Sequence, residues 1–249
     1  MLIAARNAFT AGGGWANPYV TDSLVAMWDG EWNVGGEVHD AAAETWVDLS
    51  GNGYDAVWSS SQSSSIPPPV WGDKCVTNSD PDKVGGFVVN HAIMLGMDSW
   101  TISICAKGIH QSGVQRECFC SRTPSIRAFQ IWQYGPPQFV FGSSANGWAN
   151  ISFGSVGVRY SATCTQGDGE IKAYDAGSLV GSMSCDSEYI RDNVCSATLY
   201  NLFSRRPYYG DSTFLGDLYR VSIYSRVLTS AEIAANYAVD AERFDLPTA

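Results

Sequence analysis

Short runs of alternating apolar and polar residues, broken by clusters of Gly, Pro, Ser and Asn, dominate this chain. Trp100 to Ala106 shows the pattern most plainly: Ile102, Ile104 and Ala106 fall on one side, Thr101, Ser103 and Cys105 on the other. A period of two is the signature of a half-buried strand. Comparable runs predict strands over 23–28, 46–49, 129–134, 138–141, 149–153, 159–165, 170–175, 198–203 and 218–224. Gln166-Gly167-Asp168-Gly169 joins two of these as a hairpin, because Asp-Gly tolerates the positive φ of a tight turn. Ser50-Gly51-Asn52-Gly53 is a second turn signal. One helix is predicted. Thr229 and Glu232 have capping-box spacing, Ile233 and Tyr237 lie four apart on one face, and the pattern fades near Asp240. About ten to thirteen strands with one late helix imply an all-β sandwich. Residues 1–18, with three consecutive glycines and Pro18, read as an N-terminal arm, 19–240 as one domain and 241–249 as a tail.

Composition narrows the partners. Of 249 residues only 16% are charged, against a typical figure of about 25%. The balance of 15 cationic and 25 acidic residues gives a net charge of −10. That argues against nucleic acid, which needs clustered cations. No run approaches the roughly 18 apolar residues of a membrane span, so membrane insertion is not expected. Met1 to Ala5 is apolar but Arg6 and Asn7 end the run, short of the roughly 7–15 residues of a secretory signal. The chain is therefore expected to fold in the cytoplasm, with its seven cysteines mostly free, buried thiols.

Several segments, in order, carry a resemblance. Leu24-Val25-Ala26-Met27-Trp28, Asp48-Leu49-Ser50-Gly51-Asn52-Gly53, Ser99-Trp100-Thr101-Ile102-Ser103, Glu170-Ile171-Lys172-Ala173-Tyr174, and Phe214-Leu215-Gly216-Asp217 running on to Leu228-Thr229 resemble the laminin-G-like, concanavalin-A-like jelly rolls, phage and prophage members most of all. The resemblance implies two antiparallel sheets packed face to face, one often concave, and a binding or structural role. In that family an acidic pair before the last strand often helps hold calcium. Here those positions are Tyr219 and Arg220, which leaves Asp48, Asn52 and Asp217 as candidate ligands for a structural calcium, with no cofactor required.

Catalytic patterns are sparse. Glycosidases need two carboxyls about 5–10 Å apart, and no strand carries them at suitable spacing. Asp186 and Glu188 read as a solvated turn. His39, His91 and His110 are scattered, and Cys118-Phe119-Cys120, with both sulfurs expected on one strand face, lacks the further ligands zinc wants. The aromatics say more. Trp132, Tyr134, Trp148 and Tyr160 lie among Gln130, Gln133, Asn146 and Asn150, the composition of a concave glycan-binding face. The expectation is a non-catalytic recognition or adhesion module that binds a glycan or host-surface polysaccharide, displayed on a phage virion or bacterial surface. The alternative is a virion decoration or assembly protein docking on neighbouring subunits through its arm. A glycosidase stands last.

Overall fold

The computed structural model describes residues 17–59, 69–80, 85–109, 116–122, 127–133, 136–143, 147–155, 157–203 and 214–246. In chain order the strands are β1 (Leu24–Asp29), β2 (Thr45–Trp46), β3 (Ala56–Ser59), β4 (Val70–Trp71), β5 (Val76–Asn78), β6 (Gly86–Val89), β7 (Trp100–Gly108) and β8 (Arg116–Arg122). They continue with β9 (Arg127–Gln133), β10 (Pro137–Ser143), β11 (Gly147–Ser152), β12 (Tyr160–Gly167), β13 (Glu170–Asp175), β14 (Ser178–Ser184), β15 (Leu199–Leu202) and β16 (Gly216–Tyr224). Helix α1 (Ser187–Asn193) precedes β15, and α2 (Ser230–Phe244) follows β16.

Two eight-stranded antiparallel sheets result, so the predicted sandwich is present. Sheet I runs β14-β13-β12-β7-β16-β5-β4, with β1 also on β16; sheet II runs β11-β10-β9-β8-β15-β6-β3-β2. In sheet I, β5 pairs with Gly216–Leu218 and β1 with Arg220–Tyr224 of β16. Tyr219 is left over as a bulge between Leu218 and Arg220. Gly216 has φ +136°, and a Cβ there would lie 2.0 Å from the Lys107 carbonyl, so only glycine lets β16 approach β7 at this point.

The core lies between the sheets. Ile102, Ile104, Val221 and Ile223 of sheet I face Phe119, Phe129, Ile131 and Phe139 of sheet II, with Trp28 and Trp100 fully buried among them. Aromatic rings meet edge-on or offset, as at Phe129–Phe141 (4.9 Å) and Trp100–Phe129 (5.6 Å), the arrangements the ring quadrupole favours. The outward residues of β7 are buried as well: Thr101, Ser103 and Cys105 expose at most 1%, because α2 and the segment entering β1 cover this face.

Local chemistry explains several boundaries. Asp168 and Gly169 have φ of 51° and 73°, the two positive values of the predicted hairpin turn between β12 and β13. The Thr229–Glu232 capping box is formed. Helix α2 does not fade at Asp240; it runs to Phe244 and is capped by Asp245 in the left-handed conformation, so the domain boundary expected at 240 falls inside the helix. Asp186, expected in a solvated turn, is the N-cap of α1, accepting from the backbone N–H of Glu188 and Tyr189. The expected N-terminal arm, apart from Asn17 and Pro18, lies outside the described residues.

All seven cysteines are free and all but Cys185 are buried. Burial pushes the Cys75 and Cys118 thiols up to about 12 and Cys195 to about 11. The expectation for the Cys118–Cys120 pair is corrected. Cys118 is the extra residue of a bulge in β8, so its sulfur joins the core while Cys120 pairs in register with Gln130 and Asn201.

Candidate functional site

The expected aromatics do not share one sheet: Trp132 and Trp148 belong to β9 and β11 of sheet II, and Tyr160 to β12 of sheet I. Asn201, Cys120, Gln130, Val140 and Asn150 form one register row across β15, β8, β9, β10 and β11. Asn150 is exposed, but the middle of the row is buried: Cys120, Gln130 and Asn201 expose 0% and Val140 1%. Near the edge, the Gln138 amide donates to the Ser152 hydroxyl at 2.9 Å. Trp132 occupies a β9 position paired with Gln138, and Trp148 a β11 position opposite Gly142; their side chains, and Tyr134 entirely, lie outside the described residues. Tyr160, expected on a ligand face, points into the core instead. It exposes 4%, meets Phe153 edge-on at 5.3 Å, and burial raises its pKa.

Asp48 and Asn52 serve the turn that contains them. The Asp48 carboxylate accepts from the backbone N–H of Met27, Ser50 and Tyr54 and from the Ser50 hydroxyl, at 2.8–3.0 Å. The Asn52 amide donates to the Val25 carbonyl. These contacts tie the Ser50–Gly53 turn to β1, which explains an Asp, a Ser and an Asn at that spacing without a metal. Asp217 stands elsewhere, accepting from the Thr77 hydroxyl at 2.7 Å and the Tyr219 hydroxyl at 3.3 Å. Met27 pairs with Ser222, so Asp217 lies five residues along β16 from the Asp48 turn, roughly 16 Å at the usual strand rise per residue. The structure does not bring the three candidate ligands together. Among the described residues no group of three or more His, Cys, Asp or Glu could hold a metal ion.

The outward face of sheet I carries the charged chemistry, in two zones. The first lies under α2. Arg220 and Asp240 are both completely buried and joined by two bonds, Nε to Oδ1 at 2.8 Å and Nη2 to Oδ2 at 2.6 Å. Arg220 also donates to the Ser222 and Ser103 hydroxyls. Asp240 also accepts from the Tyr19 and Ser161 hydroxyls at 2.8 and 2.6 Å. Burial alone would favour the neutral guanidine, but the Asp240 carboxylate more than reverses this and raises the Arg220 pKa. Alongside, Arg243 grips Asp29 and Glu31 and lies 3.7 Å above the Trp32 ring. Every charge here is matched, which makes the zone a structural layer.

The second zone is a groove past the C-terminal end of α2. Three adjoining cavities of about 290, 410 and 510 Å³ all include Arg159 in their walls. Arg159 precedes β12, donates through Nη1 to the Phe244 carbonyl at 2.7 Å and lies 5.3 Å over the Tyr219 ring. A cation is well placed there, since the last carbonyls of a helix lack partners and carry partial negative charge. Around it stand Asp175 and Tyr237 on one side, Asp217 on another, and Lys107 with Asp245 on the third. Donors and acceptors of both signs thus converge on an open depression, the layout of a polar ligand site. Sequence reading missed it. Arg159 begins a predicted strand and Lys107 follows one, and neither carries a periodic signal.

No protein-family model matches the chain, and no curated protein matches it in sequence. Solved structures match its fold. A Trypanosoma rangeli sialidase in complex with sialic acid is 14% identical with a TM-score of 0.59, over 89% of this chain and 33% of that one. Domain 4 of a GH43 extracellular arabinanase from Geobacillus stearothermophilus, in complex with arabinotriose, is 16% identical with a TM-score of 0.62, over 86% of this chain and 98% of that one. A botulinum neurotoxin type C structure, whose cell entry depends on two ganglioside molecules, is 13% identical with a TM-score of 0.61, over 88% of this chain and 51% of that one. The chain spans about a third of the sialidases and half of the neurotoxin structure. At these identities the likeness establishes the β-sandwich and no more.

Proposed function

We propose that this chain is a non-catalytic recognition module for glycans, displayed on a virion or bacterial surface with residues 1–18 as its attachment. The observation that carries the reading is the groove around Arg159. Sugars offer hydroxyls that both donate and accept, and the groove presents a guanidinium, an ammonium, carboxylates and a phenol within one depression. The neighbours in complex with sialic acid and arabinotriose, and the ganglioside-dependent neurotoxin, support a glycan as the ligand class. The non-catalytic reading is supported by two of the groove's carboxylates. Asp175 accepts from the Gly154 N–H at 2.8 Å and Asp217 holds two hydroxyls, so neither is free for the roles that glycoside hydrolysis gives its carboxyls, one giving a proton and the other attacking or activating water.

A glycan array probed with the full chain, with calcium and with chelator, together with an assay for released reducing ends, tests the reading. Binding without hydrolysis is the expected result, and chelator should change nothing, because Asp48 is already saturated by protein donors. Hydrolysis of any bound glycan would overturn the non-catalytic reading. No binding by folded protein would overturn the glycan reading and favour docking on neighbouring subunits.

A further inference from the structure

We propose that the Arg159 groove selects acidic sugars, holding a carboxylate of the glycan between Arg159 and Lys107. This deepens the glycan reading above and rests on it. The chain is strongly acidic, at −10, and among the described side chains most cations are consumed internally. Lys74, Lys172, Arg191, Arg220, Arg226 and Arg243 each have a carboxylate partner within 4.0 Å. Lys107 and Arg159 are the described lysine and arginine side chains that have none, and both line the same cavity of about 510 Å³.

Their neighbours explain why they stay unmatched. Lys107 is in register with Asp217 across β7 and β16, but the Asp217 carboxylate is turned to the Thr77 and Tyr219 hydroxyls. Arg159 spends Nη1 on the Phe244 carbonyl, and a guanidinium has five N–H donors in a planar fork. The remaining edge suits the two oxygens of a carboxylate. Asp245 is the one acidic side chain in the wall of this cavity. It accepts hydroxyls beside the carboxylate and opposes any ligand of higher negative charge, which favours a singly charged acid over a phosphate.

The test is calorimetric titration of the full-length chain with 3′-sialyllactose and with a glucuronic-acid-containing tetrasaccharide, each beside its carboxyl methyl ester, and with lactose. The acids should bind, and esterification should weaken binding by roughly tenfold or more, since a charge-assisted hydrogen bond is worth about 1.5–3 kcal/mol. Arg159→Gln should weaken the acids by a similar factor. Lys107→Gln should weaken them by about threefold, and affinity should fall with added salt. Lys107 has no ion pair among the described residues, so its variant guards against a loss that is only unfolding. If acid and ester bind alike, or both variants bind as the parent does, the glycan reading survives and acid selection is overturned. If neither acids nor lactose bind while the glycan array finds another ligand, acid selection alone is overturned; if the array is blank as well, both fall.

Discussion

Two arginines on the same face of sheet I have opposite fates. Arg220 rises from the middle of β16 and disappears under α2, where Asp240, Ser103 and Ser222 take its donors. Arg159 stands where the helix has ended, with one carbonyl and one aromatic face for company. The contrast separates structure from recognition. A guanidinium that is buried and fully matched offers nothing to a ligand and matters only to the fold. One that is half-buried and unmatched costs the fold little and keeps donors for something outside. Helix α2 draws the line, since its Ile233, Asn236, Asp240 and Phe244 are buried and the open cavity lined by Lys107 and Arg159 lies past its end, at Asp245 and Leu246.

The largest effect that would break this contrast is on the buried side. Asp240→Ala leaves Arg220 charged, buried and without its carboxylate, and strips Tyr19 and Ser161 of an acceptor. Loss of one member of such a pair costs about 3–5 kcal/mol, and equilibrium denaturation should show it. A loss below about 1 kcal/mol would mean that water reaches Arg220 and that the layer is not the closed one described here.

A smaller effect belongs to the start of α2. Glu232 closes the capping box and receives Arg226 at 2.6 and 2.8 Å, and the Arg226 bond, with help from Thr229, lowers its pKa to about 2 from an ordinary 4.5. A carboxyl with a lowered folded pKa stabilises above its unfolded pKa, and that contribution fades as pH falls from about 4.5 to about 2. The pair is partly exposed, so screening holds the effect to about 1 kcal/mol. Glu232→Gln should therefore be less stable than the parent by about that much at pH 7, and the gap should close near pH 2. A gap that persists at pH 2 would assign the loss to packing of the side chain rather than to its charge.

The same division governs what the sequence reveals. Alternation in 100–106 and 170–175, the Asp168-Gly169 turn and the Thr229–Glu232 box are local, and each was legible because neighbouring residues alone determine it. What was not legible depends on partners distant in sequence. Strands β4 and β5 are two and three residues long and exist because β16 has a free half-edge to pair with. The β13–β14 turn uses Ala176 at φ 50° beside Gly177, a residue that gives no turn signal. Asp240 looks like the end of a helix until Arg220, 20 residues earlier, supplies its countercharge. The bulge that turns Cys118 inward is set by pairing with β9. The groove was the least legible of all, because an unmatched cation is defined by the carboxylates that fail to reach it, and only the folded chain shows that. Asp48 is the converse case, since its motif was visible but its task, saturating backbone donors of β1 and the turn, was not.

The smallest expected effect is the one that sharpens the comparison most. Arg159→Gln removes a charge from the C-terminal end of α2 and one bond to the Phe244 carbonyl, and a cation at a helix terminus contributes about 0.3–1 kcal/mol. Its unfolding free energy should therefore fall by less than about 1 kcal/mol, well short of the Asp240→Ala loss, even though both variants alter a charge on the same sheet face. A loss near 3 kcal/mol would make Arg159 a second Arg220, a residue the fold cannot spare. Any weakening of ligand binding in that variant would then report damage to the groove. A loss within the expected range means that the fold does not require the Arg159 charge, and a fall in acid-sugar affinity in the same protein then belongs to the missing guanidinium.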